Sequence, residues 1–204
     1  MKIYDLTHKI ENNMIAFSPE EKPTIKNIFS IEKDGFNVTS LKFSSHIGTH
    51  IDVPFHILSN GKNICDFSIE TFFGKGKCIT FNELKNIDFN CENIKNIDYL
   101  LIHTGWDKFW NSENYFKDYP VISDEIISKL AFSNLKGIGI DFISPDFYNS
   151  INQEKHKELL KNNKIIIENL CSLESLLEKE FYFSCLPLKS EIDGCPVRAV
   201  AIIF

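Results

Sequence analysis

The most informative stretch of the chain reads His46-Ile47-Gly48-Thr49-His50-Ile51-Asp52-Val53-Pro54-Phe55-His56. It holds three of the six histidines of the chain, at the spacing HxxxHxDxxxH. Imidazole and carboxylate groups together are ligands of divalent ions such as zinc and manganese. A single histidine is usually only a hydrogen-bonding side chain, and polar residues also cluster in surface loops. Three histidines and an aspartate at this spacing indicate a candidate metal site.

The spacing also constrains the backbone of this stretch. Four residues of straight strand span about 13 Å, at roughly 3.3 Å per residue. One zinc ion needs its nitrogen ligands at about 2.0–2.1 Å, so His46 and His50 cannot share an ion along a straight strand. We therefore predict a bend at Gly48, which tolerates unusual dihedrals and places no side chain between the imidazoles. Pro54 cannot donate to a strand ladder, so we expect pairing to end before His56.

A second pair of candidate ligands lies further along the chain. His156 falls within a predicted helix, and Glu168 directly follows the apolar run Ile165-Ile166-Ile167. An acidic side chain beside a buried strand costs free energy unless it has a partner. Glu168 is therefore either a ligand or a strand-end carboxylate that faces solvent. His156 is either a ligand or a helix-surface residue, and the residues alone leave both alternatives open.

The chain alternates between short strand patterns and a few helix patterns. Runs rich in β-branched and aromatic residues predict eight strands, at Lys2–Leu6, Asn37–Phe43, Lys77–Phe81, Tyr99–His103, Gly137–Phe142, Lys164–Glu168, Phe181–Leu186 and Val197–Phe204. Helices are predicted after the N-cap Ser123, over Asn152–Asn162 and, shorter, from Ser172. The last strand is apolar on both faces, which predicts a central strand and a buried C-terminus. Together these patterns predict an α/β domain with parallel and antiparallel pairing.

Length, composition and charge exclude several classes of protein. The chain has 204 residues, of which 43% are hydrophobic and 25% charged, so one domain over residues 1–204 is expected. A net charge of -6 without a basic stripe argues against nucleic acid as partner. No apolar run reaches the roughly 20 residues of a membrane span. The charged start is unlike a secretory signal, and the six cysteines are scattered, so we expect a cytoplasmic protein.

The stretch from Ser45 to His56 resembles the HxGTHxDxPxH signature of the cyclase family of metal-dependent hydrolases, which includes bacterial kynurenine formamidase and isatin hydrolase. Further segments resemble other blocks of that family, at His156–Leu160, Ile166–Leu170, Gly139–Asp141 with Ser144 and Asp146, Leu186–Lys189 and Gly194–Ala199. The resemblance implies a single domain with a swivelling β/β/α-like fold. It also implies a homodimer.

The resemblance further implies a site with two divalent metal ions, most simply zinc, with manganese as the alternative. His46, His50 and Asp52 match the ligands of one ion. His156 and Glu168 match those of the second, with Asp52 as the bridge. His56 matches the catalytic residue that acts as acid and base near the metals.

The implied reaction is hydrolysis of a small amide-type bond by a metal-activated water. Arylformamidase activity, which converts N-formylkynurenine to kynurenine and formate in tryptophan catabolism, is the leading prediction; an isatin-like lactam or another small cyclic amide is the alternative. Phe17 and Trp106 are candidate substrate-binding residues, as are Phe109 and Trp110, although ordinary core packing accounts for each one singly. A metal-binding protein for storage or sensing, or a structural metal domain, would also carry such ligands.

Two departures from the family pattern affect these expectations. Phe17-Ser18-Pro19-Glu20-Glu21 stands where many members carry a Pro-Gly-Asp stretch. Since that region lines the substrate in relatives, the departure bears on which substrate fits. Cys195 stands where serine is frequent, and we interpret it as an exchange of small residues without a chemical role.

Overall fold

The computed structural model describes residues 1–89 and 92–204, so Cys91 lies outside the described residues. The strands are β1 (Lys2–Asp5), β2 (Thr24–Phe29), β3 (Val38–Lys42), β4 (His50–Asp52), β5 (Phe73–Thr80), β6 (Tyr99–His103), β7 (Gly137–Ile140), β8 (Ile165–Glu168), β9 (Phe181–Ser184), β10 (Gly194–Pro196) and β11 (Val200–Ile203). The α-helices are α1 (Ile31–Asp34), α2 (Phe81–Leu84), α3 (Glu92–Lys95), α4 (Asp124–Ala131) and α5 (Glu154–Lys161). No helix within the described ranges has the length and apolar character that a membrane crossing requires.

Nine of the strands form one mixed sheet in the order β1-β11-β9-β5-β6-β7-β8-β4-β10. The four middle strands, β5 to β8, are parallel. The strands on either side of them pair antiparallel. Helices lie in the crossovers between the parallel strands, as such connections require. The predicted α/β class with both kinds of pairing is confirmed.

The two longer helices form where the sequence patterns predict them. The Ser123 side chain accepts a hydrogen bond from the Ile126 N–H at the start of α4. Helix α4 buries Ile126, Ile127 and Leu130, and α5 buries His156 together with Leu159 and Leu160. Helix α5 packs against β8, which directs its buried imidazole toward the sheet.

The sheet curls around one of two apolar clusters. That cluster joins Ile51 on β4, Ile167 on β8, Tyr99 on β6, Phe183 on β9 and Ala201 on β11. Strands from both wings of the sheet thus contact the same core. The second cluster lies on the side of α4 and α5. A single curled sheet with few helices agrees with the predicted architecture.

The predicted burial of the C-terminus is wrong. Strand β11 lies between β1 and β9, but Phe204 is 81% exposed, so the C-terminus is not buried. The reason is that β11 sits in an antiparallel wing, where one face of the sheet stays open. The shorter helix predicted from Ser172 forms as a single turn of 3-10 helix at Leu173–Leu176, with Ser172 as its N-cap. Strands β2, β4 and β10 were not predicted, and β2 and β3 form a separate two-stranded ribbon.

Candidate metal centre

The histidine-rich stretch folds as a bend, a short strand and a turn of 3-10 helix that follows the strand. Gly48 has a φ of +64°, in the left-handed region that favours glycine. Its carbonyl accepts hydrogen bonds from His50 Nδ1 at 2.9 Å and from Asn169 Nδ2 at 2.9 Å. Strand β4 ends at Asp52, and Pro54 begins a 3-10 helix over Pro54–His56. The predicted bend at Gly48 and the predicted end of pairing before His56 are both confirmed.

Sheet register brings the two halves of the site together. His50 on β4 pairs with Glu168 on β8, and the distance from His50 Nε2 to Glu168 Oε2 is 3.4 Å. His50 Nε2 also lies 3.3 Å from Asp52 Oδ1. From helix α5, His156 Nε2 reaches to 3.2 Å from Glu168 Oε1 and to 3.5 Å from Asp52 Oδ2. All four side chains are buried.

His46 and His56 complete the cluster from the outer side. His46 Nδ1 lies 2.7 Å from Asp52 Oδ1. The ring of His56 lies 4.0 Å from that of His46 and 5.9 Å from that of His156, measured between centroids. The His56 side chain is 23% exposed. The structure thus brings together all six residues of the predicted metal and acid–base set, and their assignment to ligand and proton-transfer roles stays a prediction.

The donor set fits divalent cations. Among the described residues, Asp52 Oδ2 and Glu168 Oε1 are buried without a clear hydrogen-bond partner, although His156 Nε2 lies 3.5 Å from the first and 3.2 Å from the second. A buried carboxylate oxygen without a partner is costly, and a cation would satisfy it. Two groups of three residues each have ligand atoms within 4.8 Å of one another. One group is His46, Asp52 and His56, and the other is His50, Asp52 and Glu168.

The pKa shifts within the cluster also indicate that it needs positive charge. Burial opposes protonation of His50. The negative charge of Asp52 and the hydrogen bonds of His50 with Asp52 and Glu168 outweigh this effect and raise the His50 pKa to about 10. For His46, burial is likewise outweighed by Asp52 and Asp193, and the pKa rises to about 9. Burial would raise the pKa of Asp52, yet the histidine charges hold it well below its usual value. The carboxylates therefore call for compensating positive charge, which protons or divalent ions can supply.

In each candidate ligand histidine, the ring nitrogen that faces away from the centre lies beside a hydrogen-bond acceptor of another residue. His50 Nδ1 donates to the Gly48 carbonyl. His156 Nδ1 lies 2.7 Å from Asp146 Oδ2, and His46 Nε2 lies 2.8 Å from Asp193 Oδ2. Such outer acceptors fix the orientation of metal-bound imidazoles. The sequence did not identify Asp146 or Asp193 as functional; the only signal was their position in or beside segments that resemble the family.

An apolar wall lies beside His46. A small cavity of about 10 Å³ is lined there by Ile15, Ala16, Phe17, His46, Ile47, Gly48, Trp110, Phe116, Ile143 and Asn169. Phe17 is thus next to the candidate metal centre. Trp106 lies outside this lining, where its indole N–H donates to the Tyr115 carbonyl at 2.9 Å. Binding of substrate by Phe17 and Trp106 stays a prediction.

The family model described as "Putative cyclase" matches residues 4–147. The chain belongs to the cyclase family. Over 207 residues it is 39% identical to "Uncharacterized protein MJ0783" of Methanocaldococcus jannaschii, covering 100% of both chains. It is 32% identical to the kynurenine formamidase of Bacillus thuringiensis subsp. konkukian, over 93% of this chain and 92% of the relative. An isatin hydrolase bound to the product analogue thioisatinate has the same fold, with a TM-score of 0.83 at 21% identity, covering 99% and 92% of the two chains.

These similarities agree with the side-chain cluster. The family, the fold and the buried carboxylate–imidazole centre together identify a cyclase-family metal-dependent hydrolase. The family resemblance predicted from the sequence is confirmed, and the prediction of function is confirmed at this level.

Proposed function

We propose that the protein hydrolyses a small amide bond, most directly as an arylformamidase that converts N-formylkynurenine to kynurenine and formate. The observation that carries the proposal is the pair of unpartnered carboxylate oxygens on Asp52 and Glu168, buried beneath three histidines. A similarity to kynurenine formamidases at 32% identity, over nearly the whole chain, supports this choice of substrate.

The roles of the residues follow from their positions. His46, His50 and Asp52 would hold one divalent ion, and His156 and Glu168 the other, with Asp52 between them. When bound, zinc or manganese lowers the pKa of water and polarises a carbonyl oxygen. His56, at the outer side of the cluster, passes a proton to the leaving nitrogen. Its partial exposure gives that proton a route to solvent.

The aromatic side chains beside His46 line a cavity of only about 10 Å³, so an aryl substrate that binds there has to displace some of them. Phe17, Trp110 and Phe116 present aromatic and apolar surface next to the candidate ions. The segment that departs from the family pattern lies here, with Pro19–Glu21 folded as a 3-10 helix whose N-cap, Ser18, follows Phe17. An isatin-like lactam is the second candidate substrate, since the isatin hydrolase fold matches over 99% of this chain.

Storage sites and structural metal sites would differ from a catalytic centre in measurable ways. A storage or sensing site needs a filled ligand set but no extra imidazole such as His56. A structural metal site predicts unfolding when the metal is removed. The apolar clusters extend well beyond the ligands, which supports a core that forms without metal.

The homodimer and the cytoplasmic location belong to the same proposal. The β2–β3 ribbon exposes Ile28, Phe29, Phe36 and Leu41, and such apolar surface suits burial against a second copy. A two-stranded ribbon is also only marginally stable without a covering surface. The cysteines that the structure describes are free thiols, which suits a reducing compartment.

Turnover measured with and without metal tests the proposal. The purified protein, loaded with zinc or manganese, is assayed against N-formylkynurenine, a simple aryl formamide and isatin. We expect hydrolysis that a chelator abolishes and added metal restores, with the circular dichroism spectrum unchanged. Metal binding without turnover of any amide would contradict the hydrolase function, and unfolding on chelation would indicate a structural site. His156→Ala, which removes a candidate ligand, is the matched inactive variant.

A further inference from the structure

His46 differs from the other candidate histidine ligands because it turns Nδ1, rather than Nε2, toward the buried centre. Nδ1 lies 2.7 Å from Asp52 Oδ1 in the buried centre, and Nε2 lies 2.8 Å from Asp193 Oδ2 at the rim. The Asp193 side chain is 35% exposed and also reaches His56, whose Nδ1 lies 3.4 Å from the same oxygen. We propose that Asp193 is a positioning residue that turns His46 so that Nδ1 faces the metal, and that holds His56 beside it.

The fold presents Asp193 to the site from an edge strand. Strand β10 pairs with β4, with Gly194 opposite Asp52. Directly before that pair, the Asp193 carbonyl accepts a hydrogen bond from the Val53 N–H at 3.1 Å. Ser45 Oγ donates to Asp193 Oδ1 at 2.9 Å, which leaves Oδ2 for the two imidazoles. Backbone and side chain of Asp193 are therefore both fixed.

Close packing at Gly194 strengthens this arrangement. A Cβ atom at Gly194 would lie 2.6 Å from His46 Cε1 and 2.7 Å from the Ile51 carbonyl oxygen. Glycine thus allows the imidazole of His46 to lie directly against the backbone of β10. The ring is held between that backbone and the two carboxylates.

The chemistry of a carboxylate decides the tautomer. An ionised Asp193 only accepts hydrogen bonds, so His46 Nε2 must carry the proton. With a cation bound beside Asp52, the His46 ring is neutral and its lone pair lies on Nδ1, the nitrogen that faces Asp52. His50 and His156 present the opposite atom, Nε2, because their Nδ1 atoms contact Gly48 and Asp146. The assignment is therefore specific to one histidine.

Shared contact with His56 gives Asp193 a second effect. The same oxygen that fixes the tautomer of His46 limits rotation of His56, the predicted proton carrier. Loss of Asp193 should weaken metal binding and should separately lower turnover. The second effect rests on the proposed function, whereas the first does not.

The first effect is tested without substrate. ¹⁵N-histidine NMR of the zinc-loaded protein reports which nitrogen of His46 carries hydrogen, and competition with a chromophoric chelator gives zinc affinity. We expect hydrogen on Nε2 of His46. Asp193→Ala should lose about 10–100-fold in zinc affinity, the usual cost of removing an outer partner. Asp193→Asn should lose less, since its amide oxygen still accepts a hydrogen bond. Asp5→Asn, which changes an exposed aspartate paired with Arg198, is the control and should lose nothing.

Hydrogen on Nδ1 of His46 in the zinc-loaded protein would overturn the assignment, and so would unchanged zinc affinity in Asp193→Ala. The NMR result needs only the native chain, so it stands even if a variant fails to fold. For the second effect, kcat of Asp193→Ala at saturating zinc should stay below that of the native protein with KM little changed. Full recovery of kcat would overturn the role toward His56. Absence of turnover in the native protein would count against the proposed function and leave the zinc result intact.

Discussion

His50 and Glu168 face each other across the antiparallel pairing of β4 and β8, with His50 Nε2 3.4 Å from Glu168 Oε2. Asp52 lies two residues after His50 and therefore points to the same face of the sheet. A shift of this register by one residue would turn both side chains away from the site. The candidate centre thus depends on a strand of three residues, with His156 added from the crossover helix.

Removal of the Glu168 charge should weaken metal binding. Glu168→Gln keeps the size of the side chain but removes the charge of a buried candidate ligand, so we expect an affinity loss larger than the about 10–100-fold typical of an outer partner. In the proposed two-ion centre, bound zinc should fall from two ions toward one per chain, as measured by elemental analysis after dialysis. Glu174→Gln, at an exposed position of the 3-10 helix Leu173–Leu176, is the control. Native stoichiometry and affinity in Glu168→Gln would exclude Glu168 as a ligand.

Substitution of Gly48 should remove both metal and activity. Gly48→Val places a β-branched side chain at a φ of +64°, and its Cβ would lie 3.4 Å from Ile10 Cγ1 and Met14 Cε. The left-handed conformation alone costs roughly 1–2 kcal/mol for such a residue. Relief of that strain would shift the loop between His46 and His50.

Gly35→Val provides the matched control for this substitution. Gly35 also has a positive φ, of +81°, but a Cβ there meets no atom of the described residues within 4 Å. It ends α1 in the β2–β3 ribbon, away from the candidate centre. Both variants should lose stability, but only Gly48→Val should lose metal, measured on samples with native circular dichroism. Equal metal content in the two variants would show that the bend at Gly48 does not hold the ligands.

Strong local patterns predicted the elements that form the middle of the fold. Strands β6 and β8 are continuous apolar runs, and α4 and α5 each bury one stripe, so each pattern reports burial directly. Strands β4 and β10 have three residues each, and their pairing is set by distant partners rather than by local propensity. Two of the three residues of β4, His50 and Asp52, are polar residues of the candidate centre, so β4 lacks the apolar pattern that predicts a strand.

Family resemblance joined two distant segments into one predicted set of six metal and acid–base residues, which lie close together in the structure. Asp146 and Asp193 were missed for a physical reason. A carboxylate that orients a histidine only has to reach one ring nitrogen, which imposes no periodicity and no fixed spacing. Asp193 contacts His46 across 147 positions of sequence. Only the pairing of β10 with β4 brings the two together.

His8 should make the protein less stable in mild acid. Its ring stacks on Trp110 at 4.0 Å between centroids, and its buried Nε2 has no hydrogen-bond partner within the part of the chain that the structure describes. Burial lowers the His8 pKa from 6.5 to about 4. Between these values the unfolded chain binds more protons than the folded chain, so the free energy of unfolding falls as the pH drops. Between about pH 7 and about pH 5, the free energy of unfolding should fall by about 1–2 kcal/mol less in His8→Phe than in the native protein, as measured by urea unfolding.

His103 supplies a control of opposite sign. Its hydrogen bond to Asp141 raises its pKa, so the protonated form stabilises the folded state below the unfolded pKa and loses that effect as the pH rises. His103→Gln should therefore lose more stability at about pH 5 than at about pH 7. Identical pH profiles for the native protein and His8→Phe would show that His8 is not held neutral in the fold.

His56 should prove dispensable for metal binding and essential for turnover. Its ring lies beside His46, and its Nδ1 faces Asp193 rather than Asp52. The group His46, Asp52 and His56 is compact enough to hold an ion, so a ligand role is the alternative. As the proton donor, His56 would contribute about 10²–10⁴-fold to turnover. His56→Ala should keep its metal and lose that factor in kcat, with a smaller loss for amides with better leaving groups, since these need less protonation. Metal content and kcat are measured on one preparation, with His103→Ala as the control; if both disappear together, His56 is a ligand and the division of roles is wrong.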